Sequence, residues 1–182
     1  KNQTKRLRIE VSAEGSTSTP AMQYRLEYAV KDTTCAVATP WIDVGTAGGD
    51  FDMSNTANLT DGVDTTNVAL AANGAVTDEN TVFLTPNAAV KDTSSQTANI
   101  TLGPTNFVEL EYSIISTTTM ADGTAYCFRV TNAGIPIDAY PLYPQAAIAA
   151  DMLLTASGTQ ATTLEIPSTN QYLGGQFAFQ GQ

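Results

Sequence analysis

The feature that most limits what this chain can fold into is an alternation of period two that recurs in four segments. In "RLRIEV" Leu7, Ile9 and Val11 share one face while Arg6, Arg8 and Glu10 share the other. "YRLEYAVK" sets Tyr24, Leu26, Tyr28 and Val30 against Arg25, Glu27 and Lys31. "FVELEYSIIS" sets Val108, Leu110, Tyr112 and Ile114 against Glu109, Glu111 and Ser113, and "AYCFRV" sets Tyr126, Phe128 and Val130 against Cys127 and Arg129. Successive side chains leave opposite faces of a strand, whereas a helix repeats every 3.6 residues, so these segments predict strands with one apolar face. Such faces must be buried on a second layer, and the expected fold is an all-β sandwich.

Between these strands the chain is punctuated by turns such as "EGSTSTP", and "PWIDVG" reads as a short strand around the single Trp41. Residues 46–105 mix short apolar runs with Gly, Asn, Asp and Thr. They predict an elaborated loop region with short strands near Asn67–Ala71, Thr81–Leu84 and Ala98–Leu102. A last strand over Ala139–Ala149, interrupted by Pro141 and Pro144, is expected at a sheet edge, where a missing N–H is tolerated. With 182 residues and 42% apolar residues the chain can bury a full core, and its low charged fraction of 14% with abundant Thr, Ser and Asn suits strands and turns.

Composition also removes function classes. A formal charge of -10 repels phosphate backbones and anionic membranes, so nucleic acid is not an expected partner. No run of 18 apolar residues is present to span a bilayer. There is no histidine to serve as a general base, neither cysteine has an activating partner, and "GTAGGD" lacks the lysine and the helix of a phosphate loop. Glu109 and Glu111 lie two apart on one strand face, the spacing a two-carboxylate glycosidase site could use, but a solvated strand face is the expectation. The chain is therefore not expected to be an enzyme or to need a cofactor. One cation is worth weighing: Asp43, Asp50, Asp52, Asp61 and Asp64 gather hard oxygen ligands in a loop-rich stretch, as calcium prefers. Their spacing matches no EF-hand loop, and solvated turn aspartates are the simpler expectation. Asn2, Asn58 and Asn99 each begin an Asn-x-Ser/Thr triplet, the acceptor pattern for N-glycosylation in a secreted chain.

Cys35 and Cys127 belong to no CxxC or Cys/His cluster, which excludes zinc and leaves a disulfide in an oxidising compartment or two unpaired small hydrophobes. The chain opens at Lys1 with no methionine and no basic-then-apolar leader, as a secreted product or a trimmed fragment would. An extracellular or cell-surface location is the expectation.

"YRLEYAVK" followed by "PWIDVG", together with "DGTAYCFRVTNAG", resembles the third and sixth strands, and their neighbours, of the fibronectin type III-like branch of the immunoglobulin-like sandwiches. The resemblance covers about residues 5–150 and speaks to fold more than to function. "NITLGPTNFVELEYSI" and "EIPSTNQYLGG" are also similar to repeats in large surface proteins of uncultivated bacteria. In that fold the third and sixth strands are antiparallel neighbours. The resemblance thus implies a surface disulfide between Cys35 and Cys127 and allows Glu27 to pair with Arg129.

A complete sandwich of this family begins with a strand before the one that "RLRIEV" resembles, and only "KNQTK" stands ahead of it. Residues 1–150 therefore read as a sandwich lacking its first strand, and 151–182 as a C-terminal extension carrying a candidate donor strand. In that extension Leu164 and Ile166 alternate with polar residues, as Phe177 and Phe179 do, with Tyr172 between the two pairs. The extension either completes its own sandwich or enters a neighbouring copy beside Leu7, Ile9 and Val11, which would make a homopolymer by strand addition. The alternative is a monomeric surface module that binds a glycan or protein through the 46–105 loops.

Overall fold

The computed structural model describes residues 1–68, 80–140 and 142–148. They form eleven strands: β1 Thr4–Ser12, β2 Met22–Val30, β3 Ile42–Asp43, β4 Phe51–Met53, β5 Val82–Phe83, β6 Val90–Lys91, β7 Gln96–Ile100, β8 Asn106–Ser116, β9 Ala125–Asn132, β10 Ile135–Pro136 and β11 Gln145–Ala147. The four segments with period-two alternation are the four longest, β1, β2, β8 and β9, and each supplies the spine of a sheet.

β8 organises the first sheet. β1 runs antiparallel along one edge of it, from Thr4 opposite Ile115 to Ser12 opposite Phe107. Its other edge is shared by three short strands, β4 antiparallel and β5 and β6 parallel. In the second sheet β2 and β9 pair antiparallel from Tyr24 opposite Asn132 to Val30 opposite Tyr126. β3 and β7 lie on the outer side of β2, and β10 and β11 on the outer side of β9. The β9–β10 hairpin turns through Ala133 and Gly134, with φ of 48° and 98°. Two successive left-handed residues match the twist of the strands they join, and glycine meets that requirement without Cβ strain.

The two sheets enclose one core. Tyr24, Leu26, Tyr28, Phe128 and Val130 of the second sheet face Val108, Leu110, Tyr112 and Ile114 of the first, and all are buried. Phe51 meets the rings of Tyr28, Tyr126 and Phe128 edge-on at 5.1, 5.1 and 4.9 Å between centroids. Full burial of side chains this size stabilises by roughly 1.5–3 kcal/mol each. The inward faces are those the alternation predicts, with one correction: Val30, at the margin where β2 leaves the sheet, is 49% exposed.

The outer faces depart further from expectation. Glu109 and Glu111 are buried, not solvated, because residues within 54–68 and 80–92 lie over and beside the outside of the first sheet. The Thr65 hydroxyl donates to the Glu109 carbonyl at 2.7 Å, Val68 N–H donates to the Glu109 carboxylate at 3.0 Å, and Glu111 N–H donates to the Ala89 carbonyl at 3.1 Å. On this face Arg8 is paired with both Glu109 and Glu111 and is itself largely buried, while Arg6 pairs with Glu111 from an exposed position. Removing charge from water is costly unless every charge is met, and here two guanidinium groups meet two carboxylates. β4 and β6 belong to this outer edge and its cover, and they lie outside the expected strand positions. Of the strand expected at Asn67–Ala71, Asn67 and Val68 are not in a strand and 69–71 lie outside the described residues.

On the outer face of the second sheet Arg129 donates to the Glu27 carboxylate from Nε at 2.8 Å and pairs through Nη2 at 2.7 Å, while the Thr131 hydroxyl donates to the same carboxylate at 3.0 Å. Glu27 is consequently buried, not solvated. Trp41 lies under the Arg129 guanidinium at 4.3 Å and stacks on Tyr143 at 5.7 Å. Cys35 and Cys127 are bonded with their Cα atoms 5.6 Å apart. The bond is inside a small second cluster with Ala29 and Ala38, flanked by Trp41 and Tyr143, so the expected surface disulfide is a buried one.

Candidate functional site

β1 is the terminal strand of its sheet. Ala13 N–H donates to the Asn106 carbonyl and Ser116 N–H to the Gln3 carbonyl. In an antiparallel pair alternate residues turn their backbone groups toward the partner, so the odd-numbered residues of β1 face β8. Arg6 and Arg8 turn theirs to the other edge, where no strand pairs with β1 among the described residues. Leu7, Ile9 and Val11 pack against the core but stay half-buried, because nothing described covers them from that side.

The open edge borders a groove. β10 stops at Pro136, and residues 137–144 depart from the second sheet before β11 rejoins it. This detour is tied back by the Tyr140 hydroxyl, which donates to the Val130 carbonyl at 2.5 Å and accepts from Ile137 N–H at 3.2 Å. Between the detour and β1 a cleft of about 250 Å3 is floored by Ile9, Val11, Phe128 and Val130 and rimmed by Leu142. Val11 and Ile137 also line an adjoining cleft of about 470 Å3 that extends to Met22 and Tyr24. The first is lined mainly by apolar side chains and the second by a mixture that includes Ser12, Glu14, Thr17 and Ser18, and the two make a trough along the edge of β1.

Two residues that line these clefts stand out. Leu142 is 86% exposed, an unusual state for a leucine beside other apolar side chains. The Tyr24 hydroxyl is buried without a hydrogen-bond partner among the described residues, and burial pushes it up to about 12. A buried hydroxyl left unpaired costs about 1–3 kcal/mol.

Of the residues singled out from sequence, the structure brings Leu7, Ile9 and Val11 to this edge and joins Cys35 to Cys127. Leu164, Ile166, Tyr172, Phe177 and Phe179 lie outside the described residues. The five aspartates do not converge. Asp43 pairs with Arg25 at 3.0 Å, and Asp50 accepts from the hydroxyls of Thr119 and Tyr126 at 2.9 and 3.1 Å. Asp52 accepts from Met53 N–H, Asp61 pairs with Lys91 at 2.5 Å, and Asp64 accepts from the backbone N–H groups of Asn87 and Ala88. Among the described residues no group of three or more acidic, cysteine or histidine side chains is placed to hold a metal ion. Asn2, Asn58 and Asn99 are all exposed.

Sequence reasoning missed Ile137, Tyr140 and Leu142 as groove residues and Tyr24 as more than core. The one sign available was the pair of prolines, Pro141 and Pro144, which mark the last strand as broken. No family model matches the chain, and no curated protein or solved structure matches it.

Proposed function

We propose that the chain is an extracellular structural subunit that polymerises head to tail, the C-terminal extension of one copy supplying a strand to the open β1 edge of the next. The observation that carries this reading is the trough: a strand edge with no partner among the described residues, half-buried Leu7, Ile9 and Val11, and an apolar cleft alongside them. An added strand contributes main-chain hydrogen bonds along β1 and sends alternate side chains into the cleft. A contact between different surfaces of successive copies does not close on itself and grows into a filament.

The topology supports an immunoglobulin-like, fibronectin type III-like assignment. The order β1-β8-β4 facing β10-β9-β2 corresponds to the second, fifth and fourth strands facing the seventh, sixth and third of that fold. Its first strand belongs beside the second, and that is the place left open next to β1. A buried disulfide is compatible with the oxidising conditions outside a cell.

A loop-borne adhesion module draws less support. Phe51 is buried in the core and Phe83 packs edge-on against Phe107, so these two aromatics of the 46–105 region are not offered to a ligand.

Electron microscopy of the intact chain beside one ending at Ser157, at equal concentration, tests the proposal. Filaments from the first and single particles from the second are expected. A monomeric intact chain whose truncation only lowers stability would mean that the extension serves its own sandwich.

A further inference from the structure

Resting on the strand-donation reading, we infer that formation of the Cys35–Cys127 bond is what makes the chain able to accept a partner, because the bond anchors the aromatic side chains that position one wall of the trough. Ile137, Tyr140, Leu142 and Pro144 line that wall.

A chain of contacts runs from the bond to the wall. Trp41 and Tyr143 pack against the small cluster that Cys35 and Cys127 form with Ala29 and Ala38. Their rings stack, with centroids 5.7 Å and planes 21° apart. Tyr143 in turn meets the ring of Tyr140 at 5.5 Å. The Tyr140 hydroxyl then fastens the wall, donating to the Val130 carbonyl at 2.5 Å and accepting from Ile137 N–H at 3.2 Å. Close-packed side chains pass a displacement to their neighbours, so the position of Trp41 bears on that of Tyr140.

Trp41 depends on the bond for its place. The stretch from Thr33 to Trp41 lies between β2 and β3. Its hydrogen bonds among the described residues are local, from Thr33 N–H to the Asp32 carboxylate at 2.7 Å and from Ala38 N–H to the Cys35 carbonyl at 3.3 Å. The disulfide joins this stretch covalently to the middle of β9. Without it Trp41 is free to leave Tyr143, and the wall loses its backing.

Forming the bond takes two electrons and two protons from the thiols, and a disulfide donor accepts them. One cysteine thiolate attacks the donor, the other displaces it from the mixed disulfide, and the donor leaves as two thiols. Both sulfurs end inside the cluster, so the bond is made as the chain folds. In a reducing compartment the thiols persist and the wall stays unsupported, which confines assembly to oxidising surroundings.

Full-length Trp41→Ala, which keeps both cysteines, and Cys35→Ala/Cys127→Ala are compared with the unaltered chain by amide hydrogen exchange and by the critical concentration for filament growth. Exchange is read at Ile137 and at Phe128, whose N–H donates to the Pro144 carbonyl at 2.9 Å. The reference is Glu111 in the other sheet, whose N–H donates to the Ala89 carbonyl at 3.1 Å. In both variants exchange at Ile137 and Phe128 is expected to accelerate about tenfold more than at Glu111, and the critical concentration to rise about tenfold. An equal change at all three amides overturns the link from bond to wall. Faster exchange at the wall with an unaltered critical concentration overturns its role in assembly. If the unaltered chain itself forms no filaments, strand donation fails and the role in assembly with it, while the exchange rates still decide whether the bond holds the wall.

Discussion

Cys127, in the middle of β9, is bonded to Cys35, in a short 3-10 turn after β2, and the bond is covered by Trp41 and Tyr143. Cross-linking positions 92 residues apart restricts the unfolded chain far more than the folded one. Replacing both cysteines by serine is expected to cost about 2–5 kcal/mol, read as a fall in the urea midpoint. Reduction of the native protein should require partial unfolding, since both sulfurs are inside the cluster. Rapid reduction by dithiothreitol under native conditions would contradict that placement.

Arg8 and Glu109 pair beside Thr65, Thr66 and Val68, where the Glu109 side chain is fully buried and that of Arg8 is 15% exposed. Arg8→Ala leaves the fully buried Glu109 without its cationic partner and is expected to cost about 3–5 kcal/mol, whereas Glu109→Ala leaves Arg8 still paired with Glu111 and should cost less. The double variant should cost less than the two singles together, because it leaves one charge fewer without a partner. Urea denaturation of the three variants measures this. Simple additivity would mean that the two groups do not act as a pair.

The legibility of the fold in sequence depends on what each side chain reports. Leu26 and Leu110 alternate with charged neighbours, and the alternation located their strands and faces correctly. The same alternation misjudged Glu27, Glu109 and Glu111, since period two tells which side of a sheet a residue is on and not whether something else covers that side. The cover over Glu109 is built by Thr65 and Val68, whose contacts are backbone and hydroxyl hydrogen bonds without any apolar period. The resemblance raised the expectation of an open side on β1, along which no strand pairs among the described residues. The shape of the trough was not legible, because it depends on Tyr140 fastening the residues after β10 to Val130.

Acid should loosen the contacts of residues 61–64 with residues 87–93. Burial pushes the Asp61 carboxyl up, but hydrogen bonds from Lys91 and from the backbone N–H groups of Asp92 and Thr93 outweigh it and hold this group at about 2, below its ordinary 3.8. A carboxylate depressed in the folded state contributes its stability in full above the unfolded value and loses it as pH falls toward the folded one. Stability is therefore expected to decline from about pH 4 toward pH 2. Asp64, held low by the N–H groups of Ala88 and Asn87, acts in the same direction. In Asp61→Asn the decline over that window should be shallower, as read by urea midpoints at pH 6, 4 and 2.5. An unchanged slope would remove Asp61 from the acid response.

Leu142 separates the acceptor side of assembly from folding. At 86% exposure it contributes little to the core, and Leu142→Lys is expected to shift stability by no more than about 0.5 kcal/mol. Yet Leu142 rims the cleft floored by Ile9, Val11, Phe128 and Val130, where an incoming strand would bury it. Covering such a side chain is worth roughly 1.5–3 kcal/mol, so its loss should weaken subunit association about tenfold or more. Thermal melting of the variant and its critical concentration for filament growth separate the two effects. Assembly at the unaltered concentration would show that the trough is not where copies meet, whereas unaltered melting with impaired growth would locate the contact at this rim.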